Sequence, residues 1–240
     1  MSSLFNEVLY KPLFNGLIIL YNSVALQDLG LAIILLTFLI RVILFPLFHE
    51  SLRHQRLTQN LQPQIKEIQN KHKDNKETQT RAILELYSSN KANPLMPIIL
   101  ILIQLPILFA LFKMFNGGVN EGAFSLLYSF VSRPESIHYT FLGLVDLTSK
   151  SLFITALATV LQYFQSKLSL PPLKPGQELN QTERMGRNMV YIGPVLTAVI
   201  LFNLPAGLGL YWLVTTVFSL LQQIIVNRIF SHGELKGTTK

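Results

Sequence analysis

The sequence predicts an all-α polytopic membrane protein. Half of its 240 residues are hydrophobic and only 14% are charged. The apolar residues gather into blocks, several close to the roughly 20 residues a helix needs to cross a bilayer. The polar stretches between blocks carry lysine and arginine in a lopsided pattern, which orients the chain. Together these observations give five transmembrane helices, an N-terminal interfacial helix and a cytoplasmic helical hairpin.

The N-terminal segment (1–28) holds Leu4, Phe5, Val8 and Leu9, then Leu13, Phe14, Leu17 and Ile18, at helical spacing. Residues 4–22 read as an amphipathic helix lying in the interface; the apolar run "PLFNGLIILY" also allows a spanning helix. With no basic n-region and Lys11-Pro12 interrupting the apolar stretch, it does not read as a cleavable signal. The first span (29–48) follows. Residues 49–93 are polar but carry two apolar stripes, Leu57, Leu61, Ile65, Ile68 and Ile83, Leu84, Leu86, Tyr87, on either side of "KHKDNK" (Lys71–Lys76). That pattern predicts an antiparallel helical hairpin outside the bilayer.

Spans two to five and their loops occupy 94–230. The second span, Leu95–Phe115, lies between "NP" (Asn93-Pro94) and "NGG" (Asn116–Gly118). Residues 116–150 read as a mixed loop. The third and fourth segments, Leu152–Gln165 and Val190–Phe202, are short, and Leu168–Asn188 reads as a proline-punctuated loop. "NLPAG" (Asn203–Gly207) is a tight turn, so the fourth segment and the fifth span, Leu208–Val226, form a membrane hairpin. Residues 231–240 are a short tail.

With the N-terminus outside, 15 of the 20 lysines and arginines fall on the cytoplasmic side and three, Lys11, Arg133 and Lys150, fall outside. Arg41 and Lys113 lie within spans. That imbalance predicts an N-out, C-in membrane protein and accounts for the net charge of +7 without a nucleic-acid partner. The absence of cysteine excludes disulfides, thiolate catalysis and cysteine-based metal sites.

Arg41 is the residue that asks for a function. It lies in "LTFLIRVILFPL" (Leu36–Leu47), where a charge costs about 2.5–3.5 kcal/mol on insertion scales. None of the 13 acidic residues lies inside a predicted span. Asp28 and Glu50 are roughly 20 and 14 Å away along a helix. One reading is that the side chain snorkels to the cytoplasmic end, or is capped within the protein. The other is a wet cavity shared with Gln104, Thr155, Thr159, Gln162 and Gln165, whose counter-ion is an anionic ligand or a carboxylate on another protein. Each of those polar residues alone is more often interhelical glue, worth about 0.6 kcal/mol.

Enzyme chemistry is not predicted. "HESLRH" (His49–His54) has one residue too many for HExxH, so its histidines sit about 140° apart and share no metal. There is no P-loop, no dinucleotide turn, and no Ser–His or paired-carboxylate constellation at membrane depth. No cofactor, metal or catalytic residue is expected.

"LTFLIRVILFPL" resembles the first core span of the YidC family of membrane protein insertases. "QPQIKEIQNKHKDNKETQTRAILELYSSNKANPL" (Gln62–Leu95) is similar to that family's cytoplasmic hairpin, and "LIQLPILFALFKMF" (Leu102–Phe115) to its second span. "FNLPAGLGLYWLVTTVFSLLQQIIVNRIF" (Phe202–Phe230) is similar to its last hairpin. The resemblance covers roughly residues 10–230. It implies five helices around a hydrophilic groove open to the cytoplasm and lipid. It also implies insertion of nascent membrane proteins into the lipid bilayer, alone or beside the Sec translocon, without a nucleotide. The groove residues it implies are Arg41, Gln104, Tyr211 and Trp212, with Gln162 or Gln165 from the third span; for Tyr211 and Trp212 an interfacial aromatic belt is the rival reading. The charge of hairpin, loop and tail suits weak contact with the ribosome. The alternative function is a small-anion transporter or channel using Arg41, although no internal repeat of the transporter kind is visible.

Overall fold

The computed structural model describes residues 3–116, 121–170 and 181–237. Three sequence expectations therefore fall in part outside the described residues: the glycines that end the second span, the proline-punctuated part of the loop before the fourth segment, and the last residues of the tail. The described chain is helical apart from loops and one short strand pair. In order, its elements are α1 (Ser3–Phe5), a π-helical turn (Asn6–Tyr10), α2 (Lys11–Ser23), α3 (Leu29–Ile43), α4 (Phe45–Asn60), α5 (Gln62–Lys71), α6 (Lys76–Ser89), α7 (Met96–Phe115), α8 (Glu121–Phe124), β1 (Thr140–Phe141), β2 (Val145–Asp146), α9 (Leu152–Leu168), α10 (Gln181–Phe202) and α11 (Ala206–Gly237).

Prolines explain the two irregularities. Pro12 has no N–H, and its ring crowds the carbonyl four residues back. The turn before it widens, so that the Lys11 amide reaches Asn6 O. Pro46 acts likewise: α3 stops at Ile43, Leu44 leaves helical geometry, and α4 starts afresh with the proline in its first turn. The first predicted span is thus a helix broken at Leu44. By length and composition Met96–Phe115 and Ala206–Arg228 can each cross a membrane, and α3 with α4 would make a third span. α9 has 17 residues, and the apolar part of α10 is Val190–Phe202.

Contacts divide the chain into two units. The first comprises residues 1–43 and 105–224. Within it, α2 packs along α3, burying Phe14, Leu17, Ile18 and Tyr21 from one helix and Leu29, Ala32, Ile33 and Leu36 from the other. α9 packs along α10. Polar side chains of α2 hold the 121–150 segment by its backbone. The Asn15 amide donates to Leu126 O (3.0 Å) and accepts from Tyr128 N (2.7 Å). Tyr21 Oη donates to Ser136 O and accepts from His138 N, while Asn22 Nδ2 donates to Ser132 O. Asp28 accepts from Leu31 N at the start of α3 and from Leu142 N at the β1–β2 turn. That turn needs positive φ at Leu142 and Gly143.

The same segment closes the start of α11. A helix's first amides have no partner within the helix. Here Ala206 N donates to Ser149 O (2.7 Å) and Gly207 N to Leu147 O (2.9 Å). Small residues permit the close approach: a Cβ on Gly209 would lie 2.9 Å from Ile154 Cγ2, and one on Gly30 would overlap the Phe141 ring.

The second unit comprises residues 44–104 and 225–240. Its core is Leu61, Ile65 and Ala92, with Leu57, Ile83, Leu86 and Tyr87 packed against it. All but Ala92 belong to the two predicted stripes; of the other stripe residues, Ile68 is not part of this core and Leu84 is exposed. Asn75 caps α6 by accepting from Thr78 N, and Gln79 Nε2 donates across to Gln69 O.

Candidate functional site

Arg41 lies in the last turn of α3 and is 3% exposed. One turn earlier Thr37 satisfies its hydroxyl on Ile33 O, within its own helix. The arginine reaches outward instead. Its Nη2 donates to Thr215 O at 3.0 Å and to Ser219 Oγ at 2.9 Å, both on α11. The guanidinium lies 6.0 Å from the Phe218 ring centroid, and Phe218 meets Phe38 edge-on. The arginine predicted to lack a carboxylate within reach therefore bonds to a helix carbonyl and a hydroxyl. Neither of these two acceptors carries a formal charge.

The threonine, serine and glutamine residues of α11 were not among the sequence candidates, which on this helix were Tyr211 and Trp212. "TTVFSLLQQ" (Thr215–Gln223) places Thr215, Ser219 and Gln222 within about 60° of one another around a helix. Thr216 and Gln223 form a second stripe, roughly 100° away. The first stripe meets Arg41. The second meets α9: Thr216 Oγ1 lies 3.5 Å from Gln162 Oε1, and Ser169 Oγ lies 3.5 Å from Gln223 Oε1. Their i, i+4, i+7 spacing was readable, but threonine and serine raise little alarm in an apolar run because each can bond back to its own helix. Thr216 does so, to Trp212 O.

The first stripe is incompletely satisfied. Thr215 Oγ1 and both amide atoms of Gln222 are buried and make no hydrogen bond among the described residues. Gln222 as a whole is 3% exposed. Leaving such groups unmade costs about 1–3 kcal/mol each.

The other expected site residues are distributed as follows. Gln162 is half-buried and lies against α11. Gln165 is half-buried one turn on; its carbonyl accepts from Ser169. Tyr211 is buried, at 2% exposure, while Trp212 is half-buried. Gln104 is half-buried on α7, in the unit of residues 44–104. The histidines of "HESLRH" have separate environments: His49 stacks on Phe45, and His54 Nδ1 accepts from Asn93 N.

Comparison with known proteins settles the kinship. Residues 19–233 match the family model described as 60Kd inner membrane protein. The chain belongs to that family. Among its relatives, the protein named membrane protein insertase YidC from Geobacter sulfurreducens is 32% identical over 232 residues. That match covers 95% of this chain and 39% of the relative. Those of the same name from Geobacter metallireducens and Syntrophobacter fumaroxidans are each 31% identical, over 232 and 205 residues. The first covers 95% of this chain and 38% of the relative, the second 83% and 34%. The chain thus spans about two fifths or less of the length of these relatives. Membership in a 60Kd inner membrane protein family and helices apolar enough to cross a bilayer make this a bacterial inner-membrane protein.

Proposed function

We propose that the chain is a membrane protein insertase that receives nascent membrane proteins at a hydrophilic groove and releases them into lipid. The observation that carries this reading is the buried Arg41, held against a helix face that includes polar atoms without partners among the described residues. A charge at that depth in an apolar chain is costly and marks a functional site. The relatives named as insertases support the same activity. In this reading the groove opens to the cytoplasm, and its residues are Arg41, Gln104, Gln162, Gln165, Tyr211 and Trp212. The orientation is N-out, C-in, with five spans. The basic hairpin, the loop before the fourth span and the tail meet the ribosome or the emerging chain, and the protein works alone or beside the Sec translocon.

The mechanism needs no covalent step. A substrate's polar tail enters the inner leaflet through the groove instead of through hydrocarbon. Arg41 attracts an acidic residue of that tail more strongly than water would allow. The substrate's apolar segment then partitions into lipid, and hydrophobic transfer drives the step.

The test uses pure protein in liposomes and a substrate with an acidic translocated tail. Arg41→Ala should slow insertion roughly tenfold, equivalent to about 1.4 kcal/mol in the barrier. Arg41→Lys should retain most of the rate, because the bonds to Thr215 O and Ser219 Oγ both come from one nitrogen and an ammonium offers three donors. Equal loss in both variants at normal protein levels would reject a transient charge contact.

A further inference from the structure

We propose that Gln222, with Thr215, is a sequence-independent contact for the polypeptide backbone of the inserting chain. This rests on the insertase reading and adds a second kind of recognition to it. Arg41 distinguishes substrates by charge, whereas a tail without an acidic residue offers it no counter-charge. What every tail carries is its peptide groups. Each backbone N–H and C=O taken out of water needs a partner. A glutamine amide offers one donor face and one acceptor, the complement of a peptide group, and a threonine hydroxyl offers both as well.

The geometry suits an extended chain. Thr215 and Gln222 are seven residues apart, about 10.5 Å along the axis and on one face of α11. An extended peptide advances about 10 Å in three residues. A tail lying along this face would present a peptide group at each position, with a side chain between them directed at the level of Ser219, where Arg41 is bound. Thr215 Oγ1, Gln222 Nε2 and Gln222 Oε1 are the atoms of this stripe that make no hydrogen bond among the described residues. They are buried, so covering side chains must turn aside to admit the tail. Unmade bonds raise the energy of the closed form, and a ligand that makes them shifts the population to the open one.

The experiment compares Gln222→Leu with the unaltered protein in liposomes, using one substrate with a neutral tail and one with an acidic tail. Melting of each solubilised protein is followed by circular dichroism. Replacing an unpartnered amide with an apolar side chain of similar size should leave the melting midpoint unchanged or higher. Insertion of both substrates should fall about fivefold, the effect of one neutral hydrogen bond on a rate. Thr215→Val should act in the same direction, since its carbonyl still holds Arg41. Arg41→Ala should instead weigh chiefly on the acidic tail. Unchanged insertion of the neutral tail by Gln222→Leu overturns the proposal. So does a lowered melting midpoint accompanying lost insertion, which makes Gln222 a packing residue. If the unaltered protein inserts neither substrate, the insertase reading itself falls, and this inference with it.

Discussion

The two parts of α11 that lie within the first unit are built on opposite principles. At its start, Ala206 and Gly207 give their amides to the carbonyls of Ser149 and Leu147, and Leu208, Leu210 and Tyr211 are buried. Two turns later, Thr215 Oγ1 and the Gln222 amide are buried with no partner among the described residues, beside an arginine. One region has its helix-end amides satisfied and its side chains close-packed. The other keeps polar groups in an apolar chain at a free-energy cost. The contrast teaches where stability and where function are to be sought. A satisfied, close-packed end tolerates little change in volume, whereas a polar stripe can lose its polar atoms without losing the fold.

The largest expected effect tests close packing elsewhere in the same unit, where α3 meets β1. A Cβ at Gly30 would overlap the Phe141 ring, so Gly30→Ala should destabilise the protein by about 1–3 kcal/mol. Gly16→Ala, whose added carbon would meet only Leu36 Cδ1 at 3.4 Å, should be neutral or slightly stabilising because alanine favours a helix interior. Thermal melts of the two variants side by side decide this. Equal midpoints would mean that the Gly30 contact is loose and the contrast overdrawn.

A smaller effect should come from the polar stitching of the 121–150 segment. Asn15→Leu leaves the part-buried Leu126 O and Tyr128 N without their side-chain partner, at a cost of about 0.5–1.5 kcal/mol. It should lower the melting midpoint where Gln222→Leu leaves it unchanged or raises it, although both replace a buried amide with leucine. Matching shifts in melting midpoint would erase the distinction between the two regions.

The smallest effect concerns pH. Hydrogen bonds from Ser149 Oγ, then from the Thr148 hydroxyl and amide, hold the Asp146 carboxyl below its ordinary pKa. A depressed folded value means that its stabilisation is present above the unfolded pKa and lost as pH falls through the folded one. Solvent exposure keeps the contribution small. Asp146→Asn should therefore melt slightly below the unaltered protein at pH 7, and the gap should close as the pH falls below about 4. A gap that persists in acid would assign the effect to geometry instead of charge.

Much of this molecule was legible in one dimension because a bilayer imposes simple rules. Apolar length marked α7, where the expected span began at Leu95 and the helix begins at Met96. Charge and stripe periodicity marked the hairpin, whose Leu61 and Ile65 face Ile83 and Leu86 in one core. Local chemistry alone sufficed in these places, since they depend on neighbours a few residues away. The site was half legible. Arg41 announced itself, because a charge in an apolar run is expensive whatever surrounds it. Its partners did not. Thr215 and Ser219 stand 174 and 178 residues further along the chain, and a hydroxyl can satisfy itself within its own helix, so no local signal separates a serine that holds an arginine from a filler. The 121–150 segment, read as a loop, likewise gave no hint that the Leu147 and Ser149 carbonyls would receive the first amides of α11. Sequence by itself determined which stretches are helical and apolar and where a charge demands an explanation. Tertiary structure decided what answers that charge and what closes the helix end, because hydrogen-bond partners across a chain are fixed by packing, and packing has no period to read.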